Sequence, residues 1–351
     1  MELTLDIFRN DAFSVVSLQR VVDNTPYIPQ TLGQMAIFTP KPIETTEVLL
    51  YEEDGDIRLI PVTQRGSPDI QQVRDQGRLR ALKTLRLAKK DSVRAGELLG
   101  VANAALPETI RMKNAVELVT KRLSKLRSDM EATKELHRLG ALQGKLLDAD
   151  GSTVIYDYFT EYGIAEPATV SIDFANTAEE DLMMDFQDTF LRPIVESLKN
   201  RATPNVRLGA LVGDTFWSKL MRHPAVREIY KIQQQGVMMQ MAANPLAAPN
   251  MWNRLYFAGV EWINYRGSTA GDIAVPANQA IFFPIGAQDV FDVYWSPGET
   301  LLDVGQPGRA EYAYIQPDPN DQMPAFIDIF LRSYPLYACI YPKALMKAVA
   351  A

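Results

Sequence analysis

Residues 107–144 read PETIRMKNAVELVTKRLSKLRSDMEATKELHRLGALQG, which is the clearest helical pattern of this 351-residue chain. Pro107 and then Glu108 suit the first turn of a helix, because that turn needs no amide hydrogen from proline and its positive dipole end favours an acid. Apolar side chains recur every three or four residues and predict one apolar stripe along a long amphipathic helix. The stripe comprises Met112, Val116, Val119, Leu123, Leu126 and Met130.

This stripe shifts phase after Met130 and resumes at Leu136, Leu139 and Leu142. A helix from Glu108 to Gln143 would span about 54 Å at a rise of ~1.5 Å per residue. A coiled-coil arm is the alternative, but the phase shift and the strands that follow at once favour packing on a sheet of the same subunit.

Strand and helix patterns alternate after this helix. A hairpin is predicted over 145–163, a strand over 169–174, and a helix from a cap at Asn176 or Thr177 to about Arg201. A buried-type strand over 206–212 turns at Gly213-Asp214 into a helix, and Pro224 begins another helix that ends near Gln235. Residues 236–251, rich in methionine, alanine and asparagine, are predicted as a mobile loop. Further strands are predicted at 254–264, 279–284, 291–295, 325–331 and 336–341, and the mixture favours the α+β class.

The segment before the long helix is strongly basic. Residues 64–94 hold nine lysines and arginines and three aspartates, which gives this segment a net charge of +6. Because the whole chain has a net charge of −7, the remaining residues together carry −13. A strand at 46–51, the Asp54-Gly55 turn and a strand at 57–62 precede it and predict a hairpin. The segment has too few apolar residues to build its own core, so we expect an extended flap that needs a partner surface.

That partner could be the acidic body of another copy of the chain, or a nucleic acid. The inter-subunit contact candidates are Arg65, Arg74, Arg78, Arg80, Lys83 and Arg86. The segment contains no aromatic residue, so it offers no stacking platform for single strands.

The composition and motifs of the chain predict neither catalysis nor cofactor binding. Hydrophobic residues make up 47% of the chain and charged residues 23%, as in a folded globular protein. A single cysteine, Cys339, rules out an internal disulfide and lies in an apolar run that predicts an inert buried thiol. His137 and His223 are the only histidines, and both are expected to be structural or exposed.

No glycine-rich phosphate loop, esterase elbow or metalloprotease motif occurs, so we predict no enzyme activity, cofactor or metal. The first eight residues do not read as a signal peptide, and no apolar run is long enough to cross a membrane.

Several short motifs follow one another along the chain in the same order as in a known protein family. They are RLGALVGDTFWSKLMRHPAVREIY at 207–230, RLYFAGVEWI at 254–263 with YRG at 265–267, VPANQAIFFPIG at 275–286, and SYPL at 333–336. Together with the preceding arm, loop and long helix, this order resembles the lambda-type capsid protein E family of tailed bacteriophages, whose members have the Hong Kong 97-type fold. The resemblance covers nearly the whole chain.

The resemblance implies an α+β architecture of five parts. They are an N-terminal arm (1–40), an extended loop (41–97), a peripheral domain (98–205) with its spine helix at 107–144 and hairpin at 145–163, an axial domain (206–300), and strands that return to the peripheral domain (301–351).

It also implies a structural head protein that self-assembles into hexamers and pentamers of an icosahedral shell. Such a shell would enclose double-stranded DNA without sequence-specific binding, act with scaffold, portal and decoration proteins, and form in the host bacterial cytoplasm before residing in the virion. An encapsulin-like shell protein, a nucleic-acid-binding protein that uses 64–94, and an unrecognised enzyme are the alternatives.

Overall fold

A computed structural model describes residues 31–52, 78–94, 96–97, 108–175, 177–178, 181–203, 206–243, 254–265, 274–317 and 326–351. The predicted arm before residue 31, the strand at 57–62 and the Asp54-Gly55 turn lie outside these residues. The α-helices among the described residues are α1 (Thr31–Gln34), α2 (Glu108–Gln143), α3 (Tyr158–Tyr162), α4 (Leu182–Phe186), α5 (Arg192–Leu198), α6 (Asp214–Arg222) and α7 (Pro224–Ala243). The strands are β1 (Thr39–Pro42), β2 (Glu47–Glu52), β3 (Arg78–Lys83), β4 (Leu87–Arg94), β5 (Lys145–Leu147), β6 (Val154–Asp157), β7 (Val170–Ile172), β8 (Arg207–Val212), β9 (Arg254–Phe257), β10 (Val260–Asn264), β11 (Gln279–Ile285), β12 (Phe291–Trp295), β13 (Tyr312–Pro317), β14 (Phe326–Ser333), β15 (Pro335–Cys339) and β16 (Met346–Ala350).

The largest sheet has six strands in the order β7-β16-β11-β8-β10-β9. Its central strand β8 pairs parallel with β10 and antiparallel with β11. Five of the six β8 residues are buried, as a continuous apolar run predicts for a strand covered on both faces. The predicted strand at 206–212 is therefore confirmed.

An aromatic cluster centred on Trp262 of β10 fills the core beside this sheet. The Trp262 ring lies 5.0 Å from the Phe186 ring and 5.4 Å from the Phe282 ring, both edge to face. Phe190 stacks on Phe282 at 4.1 Å. The aromatic rings of α4 and of the turn after it thus pack on aromatic rings of β10 and β11. Such ring pairs favour offset and edge-to-face contacts.

The long helix α2 packs on a three-stranded sheet of order β13-β14-β4. Strand β14 alternates between half-buried and buried residues, and its buried positions Ile327, Ile329 and Leu331 contact the helix side of the core. A third sheet joins β1, β12 and β15, and two hairpin-like pairs, β2–β3 and β5–β6, complete the pairing of described strands.

Three predicted elements differ from the structure. The helix predicted to end at Arg201 is divided into α4, a π-helical turn at Gln187–Leu191, α5 and a 3-10 turn at Lys199–Arg201. Pro193 explains the first interruption, because it lacks the amide hydrogen that a regular helical hydrogen bond would need. Helix α7 continues to Ala243, so the loop predicted over 236–251 is wrong for 236–243, where methionine, glutamine and alanine favour a helix. The hairpin predicted over 145–163 ends at Asp157, whose carboxylate accepts hydrogen bonds from the first amides of α3.

The sheets draw their strands from distant parts of the chain. The six-stranded sheet combines β7 from the predicted peripheral domain, β8–β11 from the predicted axial domain, and β16 from the C-terminal part. The five-part division remains a prediction, since β16 pairs with β7 of the predicted peripheral domain on one side and with β11 of the predicted axial domain on the other.

Candidate assembly surface and spine helix

The predicted stripe of α2 faces the three-stranded sheet. Val119, Leu123, Leu126 and Met130 are each at most 4% exposed and pack with Val93, Ile327 and Ile329. Val116 is half-buried at the edge of the same cluster. Met112 lies within α2, and its side chain is outside the described residues. The opposite side of the helix carries Lys121 and Lys125, which are exposed as expected.

The apparent phase shift after Met130 marks a buried ionic network. Glu131, Lys134, Glu135 and Arg138 follow the same helical spacing as the apolar stripe, and all four are at most 7% exposed. Lys134 Nζ lies 2.8 Å from a carboxylate oxygen of Glu311, at the start of β13. The buried face of α2 therefore continues with charged groups in place of apolar ones.

Each carboxylate of this network contacts a cation. Arg138 binds Glu131 at 2.6 Å and Glu135 at 3.2 Å, and Arg127 binds Glu311 at 2.9 Å. Three cations thus face three carboxylates, which offsets the large cost of removing such charges from water. Sequence reasoning missed this network, although the gap in apolar spacing between Met130 and Leu136 was its signal.

Glu135 links the network to the N-terminal part of the described chain. Its carboxylate accepts hydrogen bonds from the backbone amides of Leu32 and Gly33 in α1 and from the Tyr265 hydroxyl. Burial raises the pKa of Glu135 above its ordinary value, although these donors and Arg138 act against that shift. Burial and the same carboxylate raise the pKa of Tyr265.

The contact candidates of the basic segment fall into two groups. Arg65 and Arg74 lie outside the described residues, and Arg78 lies on β3 with a side chain that is also outside them. Arg80 places its guanidinium 5.0 Å from the Tyr162 ring centre, Lys83 Nζ lies 3.5 Å from Glu47, and Arg86 Nε donates to Glu299 at 2.7 Å.

The described part of this segment contributes to the subunit core, although the segment has too few apolar residues to build a core of its own. Leu82 and Val93 are at most 2% exposed, and β4 forms an edge of the sheet below α2. Its cations also meet acids of the same chain, since Lys89 binds Asp129 at 2.6 Å and Lys90 binds Asp328 at 3.2 Å. Pairing with distant strands explains both results, because local composition does not reveal it.

Other residues considered for chemistry have structural surroundings. Cys339 is fully buried, as its apolar run predicts, and burial raises the pKa of its thiol. His137 is 1% exposed, and burial lowers its pKa to about 4. A Cβ at Gly213 would lie 2.3 Å from the Pro276 carbonyl oxygen, and the nearby Phe216 amide donates to the Ala277 carbonyl. Glycine at this turn therefore allows two backbone segments to lie closer together than a larger residue would permit. Helices that combine the length and apolarity of a membrane span do not occur among the described residues.

Comparison with known proteins agrees with this architecture. The family described as Phage major capsid protein E matches residues 14–350. The major capsid protein of Salmonella phage Felix O1 is 23% identical over 352 residues, which cover 91% of this chain and 92% of that protein. The major capsid protein of Pseudomonas phage KPP10 is 27% identical over 252 residues, covering 66% and 67%.

A solved structure supports the fold separately. The crystal structure of a prophage capsid protein (E. coli CFT073) superimposes with a TM-score of 0.56 at 14% identity, covering 96% of this chain and 99% of that one. The α+β architecture is thus that of Hong Kong 97-type phage capsid proteins. Because the family match extends over nearly all of its residues, the chain belongs to the phage major capsid protein E family.

Proposed function

We propose that this major capsid protein forms hexamers and pentamers that close into an icosahedral head around phage DNA. The family match over residues 14–350 carries the proposal. It also favours a structural role over the encapsulin-like, nucleic-acid-binding and enzymatic alternatives.

The charge distribution fits a container for DNA. Outside residues 64–94 the chain carries a net charge of −13, which repels phosphate and lets packaged DNA remain mobile. Several cations of the basic segment are engaged by acids of the same chain, including Lys89 with Asp129. These pairs reduce the positive charge that a nucleic acid would meet.

The basic segment 64–94 remains our proposed contact with neighbouring copies. Two of its described ion pairs are exposed: the side chains of Lys83 and Glu47 are 75% and 47% exposed, and those of Arg86 and Glu299 are 54% and 44% exposed. Exposed pairs are weak, so an acid of a neighbouring copy could replace the present partner at little cost. We propose that Arg65, Arg74, Arg78, Arg80, Lys83 and Arg86 act in this way.

Electron microscopy and sedimentation velocity of the purified protein test the function. We expect closed particles, or rings of five and six subunits that convert into particles. A single species of monomer size over a wide range of protein and salt concentrations would contradict the proposal.

Analysis of the particle contents separates the alternatives. Particles from infected cells should contain double-stranded DNA, whereas an encapsulin-like compartment should contain a protein cargo. Free subunits should show weak, sequence-independent DNA retention in a filter-binding assay, whereas tight retention would favour the nucleic-acid-binding alternative.

Further partners follow from the same proposal. A head of this kind would use scaffold, portal and decoration proteins, and its subunits would be made in the host cytoplasm before residing in the virion. Mass spectrometry of purified virions and of assembly intermediates tests these associations.

A further inference from the structure

The loop between β12 and β13 presents three large apolar side chains to solvent. Leu301 is 94% exposed, Leu302 65% and Val304 72%. We call these three residues the apolar knob. Single exposed apolar residues are common on protein surfaces, whereas a patch formed by several of them marks an interaction site.

Hydrogen bonds inside the loop hold the knob in one conformation. The Asp303 carboxylate, between Leu302 and Val304, accepts hydrogen bonds from the Thr300 and Tyr314 hydroxyls. The Asp303 amide donates to the Thr300 carbonyl at 2.9 Å, and the Gln306 amide donates to the Asp303 carbonyl at 3.2 Å. The side chains around Asp303 are therefore displayed by an ordered turn.

The base of the loop is anchored on three other elements. Glu299 lies 2.7 Å from Arg86 and 3.6 Å from Arg332 of β14. The Gly308 amide donates to the Ile43 carbonyl at 2.9 Å, and a Cβ at Gly308 would lie 1.9 Å from the Trp295 carbonyl oxygen. A loop fixed in this way loses little conformational freedom when it docks, which favours binding.

We propose that the apolar knob is a contact between copies of this chain, in which Leu301, Leu302 and Val304 of one copy pack on the surface of the next. The inference rests on the proposed function, because it assigns one contact of the assembled shell. The Glu299 carboxylate at its base also lies 3.6 Å from Arg332 of its own copy, so it keeps a cation when Arg86 pairs with an acid of a neighbouring copy.

The same chain offers an apolar surface of its own for such a contact. Met183 and Met184 of α4 are 46% and 63% exposed, and Val195 of α5 is 41% exposed. A knob at one place and an apolar surface at another make a head-to-tail contact, and head-to-tail contacts close into rings when the rotation permits. Rings of five and six copies are what the proposed function requires, so a second copy is the occupant that the structure favours.

A cysteine reporter tests the contact, because the native Cys339 is fully buried. Leu301→Cys is labelled with a maleimide in two forms of the protein, free subunits and assembled particles, separated by sedimentation. We expect rapid labelling of free subunits and loss of that labelling in particles. Unsubstituted protein, in which Cys339 should stay unlabelled in both forms, is the control.

Each other outcome rejects the inference in a recognisable way. Equal labelling in both forms means that the knob faces solvent in the shell, and the proposed function then stands alone. Protection in both forms means that a segment of the same chain covers the knob. Failure of the unsubstituted protein to form any particle rejects the proposed function and this inference together.

Two matched variants test whether the apolar character matters. Leu301→Ser with Leu302→Ser should give folded subunits, since both side chains are exposed, but particle yield should fall strongly. Leu301→Met with Leu302→Met keeps the apolar surface and should assemble like the unsubstituted protein. Normal particles from the serine variant would overturn the proposal.

Discussion

The Glu135 carboxylate in the C-terminal third of α2 accepts a hydrogen bond of 2.7 Å from the backbone amide of Leu32, 103 residues earlier in the chain. Glu135 is fully buried, and the Gly33 amide, Tyr265 and Arg138 contact the same carboxylate. One charged side chain thus joins the N-terminal part of the described chain, the long helix and the end of β10.

Glu135→Gln should destabilise the subunit and loosen its N-terminal part. The amide keeps the size of the side chain but removes the negative charge opposite Arg138 and one acceptor, and breaking a buried pair costs about 3–5 kcal/mol. Urea unfolding measures the loss, and limited proteolysis should cut more rapidly near Leu32. Glu117→Gln, an exposed change on the same helix, is the control. Equal proteolysis of the two variants would contradict the role given to Glu135.

The buried His137 predicts a pH dependence of stability. Its pKa is about 4 in the folded subunit against an ordinary 6.5, because burial disfavours the charged ring. The unfolded chain therefore binds more protons in this range, so the free energy of unfolding rises from about pH 4 to about pH 6.5 and falls again on acidification. A shift of this size corresponds to about 3 kcal/mol.

His137→Gln isolates this contribution, because glutamine does not titrate. The raised pKa of Glu135 acts in the opposite direction, since a folded state that holds a proton more tightly loses stability as the pH rises. We therefore expect the variant to gain less stability than the unsubstituted subunit between pH 4 and pH 6.5. Parallel urea curves with the same pH slope for both proteins would refute the assignment.

Leu123→Asp should prevent folding of the part built on α2. Leu123 is 3% exposed in a cluster with Val119, Ile329 and Leu331, so the substitution would bury an unpaired carboxylate. We expect insoluble protein, and the milder Leu123→Ala should cost about 2–5 kcal/mol. Lys125→Ala, two residues away on the exposed side, should leave the free energy of unfolding nearly unchanged. A soluble Leu123→Asp subunit that assembles would show that the stripe does not form this core.

Gly213→Ala should be costly despite the small size of the added methyl group. Gly213 has an ordinary negative φ, so the problem is space: the new Cβ would lie 2.3 Å from the Pro276 carbonyl and 2.6 Å from the Ala277 backbone. Overpacking of this kind costs about 1–3 kcal/mol. Gly96→Ala has nothing within 4 Å of the new Cβ and is the matched control. Equal thermal stability of the two variants would mean that the turn can relax.

Elements with a clear local period could be predicted from the sequence. The stripe from Val116 to Met130 follows the helical period, and the apolar run of β8 stands between turn residues, so both elements were found. Strands β13 and β16 were not predicted; both are short, and the partner of β16, β11, lies far earlier in the chain.

The candidate site was harder to predict for the same reason. A buried charged residue looks like a surface residue in a sequence, and Lys134 is recognised as internal only when Glu311, 177 residues later, is placed beside it. The sequence of the basic segment predicts an extended flap that needs a partner surface, since nothing local to Lys89 or Arg86 indicates Asp129 and Glu299 as partners. The knob residues lie in a turn and have no period, so their sequence alone predicts an ordinary loop.

Reversing charges on β3 tests the proposed role of the basic segment in assembly. Arg78→Glu, Arg80→Glu and Lys83→Glu together change residues 64–94 from +6 to 0. Lys83 makes only an exposed pair with Glu47, and Arg80 loses its contact with the Tyr162 ring, so we expect a modest loss of stability and an unchanged circular dichroism spectrum. Assembly should be lost, because acids of neighbouring copies would then face glutamates. Sedimentation velocity should show free subunits or small rings.

A charge-matched control separates this local effect from the change in net charge. Lys113, Lys121 and Lys125 are exposed on α2, so replacing all three with glutamate makes the whole chain more negative by the same amount. The control should assemble if contacts at β3 matter, and fail equally if only overall repulsion matters.

Salt gives a second distinction, because at 1 M the reach of exposed charges shrinks to about 3 Å. High salt should weaken assembly of the unsubstituted protein through the basic segment, whereas it should rescue a variant that fails through general repulsion. Normal particles from the β3 variant would reject docking of this segment on a neighbouring copy.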